Sequence, residues 1–246
     1  MKQRWWDYVI LVVAMLVLWQ VAFYMVGPDA IAPPLETVQR LGTLITQDDF
    51  WNNAKATGIA FFYACVLALV GGLVIGVAIG SSKMADEILS PILGTLYSIP
   101  KIVLYPVILL IFGLGLSAKV VFGAIHGFFP VALFAIGAIR NIPPVLLRTG
   151  RVMKLSWLSL ARTILLPAAG PEIITGLRMG FSTTLLGTLI GELFASNAGL
   201  GFMLMRAMDI DNVPDIMALT LLLFLIATGA NTIILAIEHH VHAFNK

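Results

Sequence analysis

The chain has 246 residues, of which 59% are hydrophobic and only 11% are charged, with a formal net charge of +2. A soluble domain has about 25% charged and about 45–50% apolar residues, so this composition excludes a soluble globular enzyme, a disordered regulator and a secreted disulfide scaffold. The single cysteine allows no intrachain disulfide, and the small net charge gives no support for a nucleic-acid partner. The composition therefore predicts an integral membrane protein.

Six segments are long and apolar enough to cross a bilayer as helices, because a crossing needs about 20 such residues. They lie at residues 8–26, 57–80, 88–112, 119–139, 172–195 and 215–237. The first is longer than the apolar core of a signal peptide, which has about 7–15 residues, so we interpret it as a retained span. The sequence thus predicts an all-α membrane protein of six transmembrane helices in one domain, residues 1–246.

Basic residues predict the orientation of these spans, because they accumulate in cytoplasmic loops. With the N-terminus inside, most Lys and Arg residues become cytoplasmic, while Arg40, Lys55, Lys119 and Arg206 lie outside. Both termini are therefore predicted to be cytoplasmic. Residues 27–56 become an outer segment that carries a short helix at about residues 36–46, after two prolines.

Small residues recur at four-residue steps within three of the spans. The steps are Gly72, Gly76 and Gly80 in span two, Gly123 and Gly127 in span four, and Gly176, Gly180, Gly187 and Gly191 in span five. Such faces allow two helix backbones to approach closely in a membrane. We favour packing within one subunit, with packing against a second copy or a related partner chain as the alternative.

Lys101 lies near the middle of predicted span three, where an ionisable side chain costs about 2.5–3.5 kcal/mol on insertion scales. If this span is one helix, Tyr97, Ser98 and Tyr105 share its face at spacings of three and four residues. A neighbouring proline frees a carbonyl group, which is tolerated at this depth only beside protein or a water-filled cavity. The stripe either lines a translocation pathway, or Lys101 pairs with Glu192 or reaches out from a broken helix.

Glu192 lies near the outer end of span five, beside several Ser and Thr residues. It either lines the pathway or makes an interhelical hydrogen bond. His126, in span four, is interpreted as an interior histidine rather than a ligand. His239, His240 and His242 are interpreted as a solvated tail rather than a metal site, because no carboxylate or cysteine completes the set.

The sequence contains no phosphate-binding P-loop, no zinc-protease helix motif and no serine-hydrolase elbow. The chain is therefore not expected to be an enzyme, to hydrolyse ATP or to bind a cofactor. If transport is active, its energy must enter through another subunit.

The predicted cytoplasmic loop, residues 141–171, is basic and amphipathic. Pro143 and Pro144 predict the start of one helix, and a second helical piece at residues 157–166 is expected to end at Pro167. The two pieces carry Arg148, Arg151, Lys154 and Arg162. Such a loop suits anionic lipid headgroups or the groove of a partner protein equally well.

The sequence of this loop resembles the inner-membrane permease subunits of bacterial ABC importers, in the group that serves nitrate, sulfonates, taurine and related compounds. Their cytoplasmic motif is Glu-Ala-Ala, three residues, Gly, nine residues and Ile-x-Leu-Pro. The ending is intact here as Ile164-Leu165-Leu166-Pro167, whereas Lys154 occupies the glycine position and Arg148-Thr149-Gly150 the Glu-Ala-Ala position. Residues 98–106, 112–115 and 191–201 also resemble family segments.

This resemblance implies a pair of permeases, either a homodimer or two similar chains, in the inner membrane of a bacterium. Two ATPase subunits that use ATP and Mg²⁺ would drive them, and an extracytoplasmic solute-binding protein would deliver the solute. The ATPase-coupling residues would be Arg148, Thr149, Gly150, Lys154, Ile164, Leu166 and Pro167. The candidate pathway residues are Tyr97, Ser98, Lys101, Tyr105 and Glu192. Because Arg148 replaces an acidic residue, we expect a matching acidic position in the ATPase.

The alternative function is a stand-alone secondary transporter or channel, which would show matched repeats or charges in several spans. Only Lys101 and Glu192 are candidate deep charges, and no inverted repeat is visible. A membrane-embedded enzyme is disfavoured because catalytic sets are missing. The solute stays open at this point: Lys101 favours an anion, whereas Tyr97 and Tyr105 suit a neutral aromatic compound.

Overall fold

The computed structural model describes residues 2–194 and 196–244, and the regular elements in that part of the chain are helical. In chain order the α-helices are α1 (Lys2–Val26), α2 (Pro34–Leu44), α3 (Asp48–Gly80), α4 (Lys83–Ser98), α5 (Tyr105–Phe112), α6 (Leu116–Arg140), α7 (Pro144–Val152), α8 (Trp157–Leu160), α9 (Leu166–Phe194), α10 (Leu200–Asp209) and α11 (Val213–Phe244). The side chains of His239, His240 and His242 lie outside what the structure describes, so the predicted solvated tail stays a prediction.

The described residues contain five helical segments that are long and apolar enough to cross a membrane. They are Trp6–Val26, Asp48–Gly80, Leu116–Arg140, Arg162–Phe194 and Val213–Ala236. A sixth span exists if α4 and the helical segment Lys101–Phe112 are counted together, although the two are bent by 88°. The prediction of six spans therefore holds only with this broken span included.

The span predicted at residues 88–112 is not one helix: it breaks at Pro100, which is the broken-helix alternative left open by the sequence. Proline disfavours a helical conformation in the residue before it, and Ile99 is accordingly extended, with φ −66° and ψ 133°. α4 ends at Ser98, and a 3₁₀ turn at Lys101–Leu104 leads into α5. Lys101 therefore begins a new helical segment and does not continue the face of α4.

The centre of the bundle is the packing of α3, α6 and α9, and glycine makes the close approach possible. A Cβ on Gly76 of α3 would lie 2.5 Å from the carbonyl oxygen of Ala132 in α6. A Cβ on Gly180 of α9 would lie 3.1 Å from the carbonyl oxygen of Gly127 in α6. The small-residue faces thus pack within one subunit, as favoured by the sequence.

The outer segment is shorter than predicted. α2 confirms the predicted short helix, with Pro34 at its first position, where a missing N–H group costs nothing. However, α3 begins at Asp48, so residues 48–56 are helical and extend span two outward. α1 lies at the edge of the bundle, and its Trp19 Nε1 donates a hydrogen bond to the Ala32 carbonyl oxygen at 3.0 Å.

The predicted cytoplasmic loop contains both expected helical pieces. α7 begins at Pro144, as the sequence predicts. The expected stop at Pro167 is wrong, because α8 continues through a π-helical turn at Ala161–Leu165 directly into α9. Pro167 lacks an N–H group for the i→i−4 bond, and the wider π turn lies immediately before it. Pro171 likewise lies inside α9.

Candidate functional site

The segment from α7 to the start of α9, residues 144–171, forms an exposed elbow. α7 ends in a Schellman turn, in which the Leu155 N–H group donates to the Gly150 carbonyl oxygen at 3.1 Å. That turn requires a left-handed residue, and Lys154 occupies it with φ 49°. This is the position at which the resembling permeases have glycine, the residue that adopts such a φ without steric cost.

The elbow presents most of the predicted coupling residues to its surroundings. Arg148, Thr149, Lys154, Leu166 and Pro167 are exposed, and Ile164 is half-buried. Gly150 is buried, with its α-carbon facing the side chains of Leu160 and Ile164.

A groove of about 380 Å³ runs along the elbow and is mainly apolar. It is lined by Leu146, Thr163, Ile164, Pro167, Ala168 and Pro171. An apolar groove beside exposed cations is a surface that a partner protein can grip. The structure thus groups the intact Ile164–Pro167 ending and the basic face of α7 on one exposed element.

A second candidate region, which we call the break, lies where α4 stops and α5 begins. The Nζ atom of Lys101 donates to the Tyr97 carbonyl oxygen at 2.8 Å. It also lies 4.5 Å from the Tyr97 ring centre and 5.6 Å from that of Phe129. The Lys101 ammonium group thus donates to a carbonyl oxygen at the end of α4 and lies against two aromatic rings.

The other predicted pathway residues do not form one stripe with Lys101. Ser98 is exposed, and its hydroxyl donates to the Gly94 carbonyl oxygen within α4. Tyr105 is only 3% exposed, and its hydroxyl donates to the Gly191 carbonyl oxygen in α9. The 88° bend turns Tyr105 into the bundle and leaves Lys101 and Ser98 at the break.

His126 lies inside the bundle, as the sequence favoured. Its Nδ1 atom is 2.9 Å from the Phe122 carbonyl oxygen, and its ring packs on the Phe122 ring with centres 4.5 Å apart. The described side chains contain no group of three or more metal-binding residues that could hold an ion.

The third region is a buried polar network, which we call the outer knot: Asn53, Thr57, Lys119, Glu192 and residues 198–201. The Glu192 side chain has no exposed surface, and its Oε2 atom accepts from the Thr57 hydroxyl at 2.7 Å. Its Oε1 atom lies 3.4 Å from Nζ of Lys119. Glu192 thus makes the interhelical hydrogen bond that the sequence offered as an alternative, and its cationic partner is Lys119 rather than Lys101.

The N-terminus of α10 completes the outer knot. The first N–H groups of a helix have no partner within it, and here side chains from other helices accept them. The Gly199 N–H group donates to Oδ1 of Asn53 at 2.8 Å, and the Leu200 N–H group donates to the Thr57 hydroxyl at 2.8 Å. The next N–H group, of Gly201, donates to Oε2 of Glu192 at 3.1 Å.

The turn before α10 is also fixed by the outer knot. Nζ of Lys119 donates to the Ala198 carbonyl oxygen at 2.8 Å. Gly199 has φ +126°, and a Cβ there would overlap the Glu192 carboxylate. Only glycine combines this backbone conformation with such close approach.

Sequence analysis missed Lys119, which it placed outside the membrane. Its spacing in the sequence could have indicated that it is buried. Lys119, Gly123 and Gly127 follow one another at four-residue steps, on the face of α6 that packs against α9. Glu192 and Thr188 share the equivalent face of α9. A lysine on such a packing face is expected to be buried and to need a carboxylate partner.

Beside the outer knot lies a pocket of about 240 Å³ between α2, α10 and α11, with both charged and apolar lining residues. Arg40 lies on its wall and makes a two-point contact with Asp215 through Nε and Nη2. This hydrogen bond raises the pKa of the Arg40 guanidinium above its ordinary value, so Arg40 stays charged at every working pH. The pair ties α2 to α11.

Comparison with known proteins gives several curated relatives, which include two transport permeases. The chain is 28% identical over 222 residues to the putative aliphatic sulfonates transport permease protein SsuC of Bacillus subtilis, covering 88% of this chain and 79% of that one. It is 29% identical over 203 residues to the taurine transport system permease protein TauC of Escherichia coli, covering 80% and 74%.

The fold also matches a solved structure, described as an inward-facing conformation of the MetNI methionine ABC transporter. The TM-score is 0.62 at 22% identity, with 80% of this chain and 96% of that chain covered. Residues 68–243 match the family model of the binding-protein-dependent transport system inner membrane component. The chain therefore belongs to this family, the non-catalytic, multi-pass permease subunits of ABC importers, which work with ATPase and binding-protein partners.

Proposed function

We propose that this chain, paired with a second permease, forms the translocation pathway for a small anion in the plasma membrane of a bacterium. Both termini and the elbow face the cytoplasm, and α2, α10 and the outer knot face the outside. An extracytoplasmic binding protein delivers the solute, and two ATPase subunits that hydrolyse MgATP supply the energy. The chain itself binds no cofactor.

The observation that carries this proposal is the exposed elbow within a chain that matches the family over residues 68–243. The elbow presents Arg148, Lys154 and an apolar groove together. A partner that grips this surface can move α9, because α8 and the π turn continue into α9 without interruption. Closure of the ATPase pair is thereby transmitted to the three-helix centre.

An ion pair near the elbow supports the placement of the α4 start and the α6 end on one side of the membrane. Nε of Arg140 lies 2.9 Å from Oδ2 of Asp86. Residues 83–87 and 140–171 contain most of the basic residues that the positive-inside rule assigns to the cytoplasm.

The proposed pathway passes the break. Lys101 and the neighbouring Tyr97 are half-buried, and Ser98 is exposed. A cation at membrane depth attracts an anion and is poorly tolerated elsewhere. Tyr105 and Glu192 are buried, so their proposed role is to hold the helices that border the pathway. The two relatives described as aliphatic sulfonates and taurine permeases agree with a solute that carries an anionic sulfonate group.

Co-expression with the cognate ATPase tests the elbow. We expect a stable complex that Arg148→Glu weakens at least about tenfold, because a groove with a matching acidic position repels the new carboxylate. Arg206→Glu, an exposed arginine on α10, is the matched control and should leave the complex intact. Unchanged assembly of Arg148→Glu would contradict the proposed contact.

The solute class is tested on the binding protein. A thermal-shift screen should include sulfonates, nitrate, carboxylates and neutral aromatic compounds. Stabilisation by an anion at micromolar concentration is the expected result. Stabilisation by neutral aromatic compounds alone would contradict the proposed anion and favour a solute that Tyr97 recognises.

A further inference from the structure

The outer knot fixes the N-terminal end of a short helix, α10, whose other end packs through Ala207 against an apolar cluster with Leu44 of α2 and Leu219 of α11. α10 has ten residues, and isolated helices of that length are marginal in water. The residue at its N-cap is Gly199, which has no side chain to cap the helix. Its first N–H groups are instead accepted by Asn53, Thr57 and Glu192 from two other helices.

The anchoring side chains are themselves fixed by the centre of the bundle. Asn53 and Thr57 belong to α3, Lys119 to α6 and Glu192 to α9. Thr57 both donates to Glu192 and accepts from Leu200, so one hydroxyl joins three helices. A carboxylate at a helix N-terminus is also favoured by the helix dipole.

The C-terminal end of α10 carries an exposed surface suited to a partner protein. Ile210 is 66% exposed and Met208 is 48% exposed, and the exposed acidic residues Asp209 and Asp211 flank Ile210. Asp49 and Ile210 border the same pocket, which is also lined by Arg206 and by Arg40, the partner of Asp215. An apolar centre with an acidic rim fits a protein face that carries lysine or arginine around an apolar patch.

We propose that Thr57, Lys119 and Glu192 are positioning residues that hold α10 in register with α3, α6 and α9 as the docking helix for the binding protein. This inference rests on the proposed function for the identity of the partner. The outer knot fixes the position of α10 relative to the three-helix centre. The affinity of the binding protein for α10 therefore depends on the arrangement of α3, α6 and α9.

The test compares two equivalent substitutions, Thr57→Val and Thr188→Val. Both remove a buried hydroxyl, but the Thr188 hydroxyl donates only to the Thr184 carbonyl oxygen within α9. Spin labels at Lys55→Cys on α3 and Met208→Cys on α10, in a Cys65→Ala background, report the distance between the two helices. Thr57→Val should broaden this distance distribution, and Thr188→Val should leave it narrow.

The functional readout is stimulation of ATP hydrolysis in the complete complex. In Thr57→Val, the concentration of binding protein for half-maximal stimulation should rise about fivefold, as expected for loss of the one hydrogen bond that Thr57 makes to α10. The rate of ATP hydrolysis without binding protein should stay unchanged. If Thr57→Val only reduced the amount of folded complex, this basal rate would fall as well. Glu192→Gln should act in the same direction, and 0.5 M salt should raise the half-maximal concentration in the parent because the rim is acidic.

Two results would overturn the proposal. Equal distance distributions in Thr57→Val and Thr188→Val would show that the knot does not hold α10. A broadened distribution without a change in half-maximal concentration would show that α10 is not the docking helix. If the parent complex is not stimulated at all, the proposed function and the docking role fail, and the spin-label distances still decide whether the knot holds α10.

Discussion

Gly76 gives the sharpest test of the helix packing, because α3 and α6 approach most closely there. A Cβ at this position would lie 2.5 Å from the Ala132 carbonyl oxygen and 2.6 Å from the Ala135 Cβ. Ordinary contacts begin at 3.4 Å, so in Gly76→Ala the two backbones must separate by about 0.9 Å. A gap of that size loses about a quarter to a half of each dispersion contact across the interface.

The expected cost follows from this overlap. Overpacking a well-packed interface costs about 1–3 kcal/mol, and alanine returns about 0.5–1 kcal/mol of helix propensity relative to glycine. With the middle of each range, Gly76→Ala should therefore lose about 1 kcal/mol of unfolding free energy. For a chain of this size, that corresponds to a fall in Tm of about 2–4 °C.

The matched control is Gly58→Ala on the same helix, where no heavy atom lies within 4 Å of the added Cβ. Thermal unfolding in detergent, followed by tryptophan fluorescence, measures both variants. Gly58→Ala should unfold at or slightly above the parent Tm. If Gly76→Ala is as stable as Gly58→Ala, α3 and α6 do not pack at this distance, and the account of the bundle centre is wrong.

Three further substitutions test single features of the structure. Lys101→Ala should reduce solute uptake by at least about tenfold, because a cation that attracts the anion is lost, while assembly and ATP binding stay intact. Lys55→Ala is the control. Unchanged uptake in Lys101→Ala would show that Lys101 is not part of the pathway. Lys154→Gly should raise the Tm, since a left-handed residue other than glycine costs about 1–2 kcal/mol; an unchanged or lower Tm would contradict the Schellman turn. Asp215→Asn should lower the unfolding free energy by about 0.2–1 kcal/mol, because its partner Arg40 is partly exposed and the pair is screened by solvent. Asp209→Asn is the control and should leave Tm unchanged. Equal Tm values for the two variants would show that the ion pair does not tie α2 to α11.

The features that depend on local pattern follow from the sequence. Apolar length predicts the spans, and the paired prolines predict the start of α2 and α7. Four-residue spacing predicts the faces of Gly72, Gly76 and Gly80, since spacing determines which residues share one side of a helix. These predictions need no knowledge of which helix is the neighbour.

The features that depend on tertiary contact do not follow from local pattern alone. Glu192 needed a buried cation, and Lys101 and Lys119 were both available in the sequence. In the structure Lys119 contacts Glu192, whereas Lys101 lies at the 88° bend and contacts Tyr97 and Phe129. Pro167 shows the converse case, because a proline expected to end a helix is accommodated by a π turn before it.

The coupling between the elbow and a separate ATPase is the central claim, and solute accumulation in vesicles tests it most directly. Vesicles should be prepared with the chain alone and with the chain, the ATPase pair, the binding protein and internal MgATP. The probe is the anion that most stabilises the binding protein in the thermal-shift screen. Concentration of this anion against its gradient in the complete vesicles only is the predicted result, and accumulation by the chain alone would contradict the account.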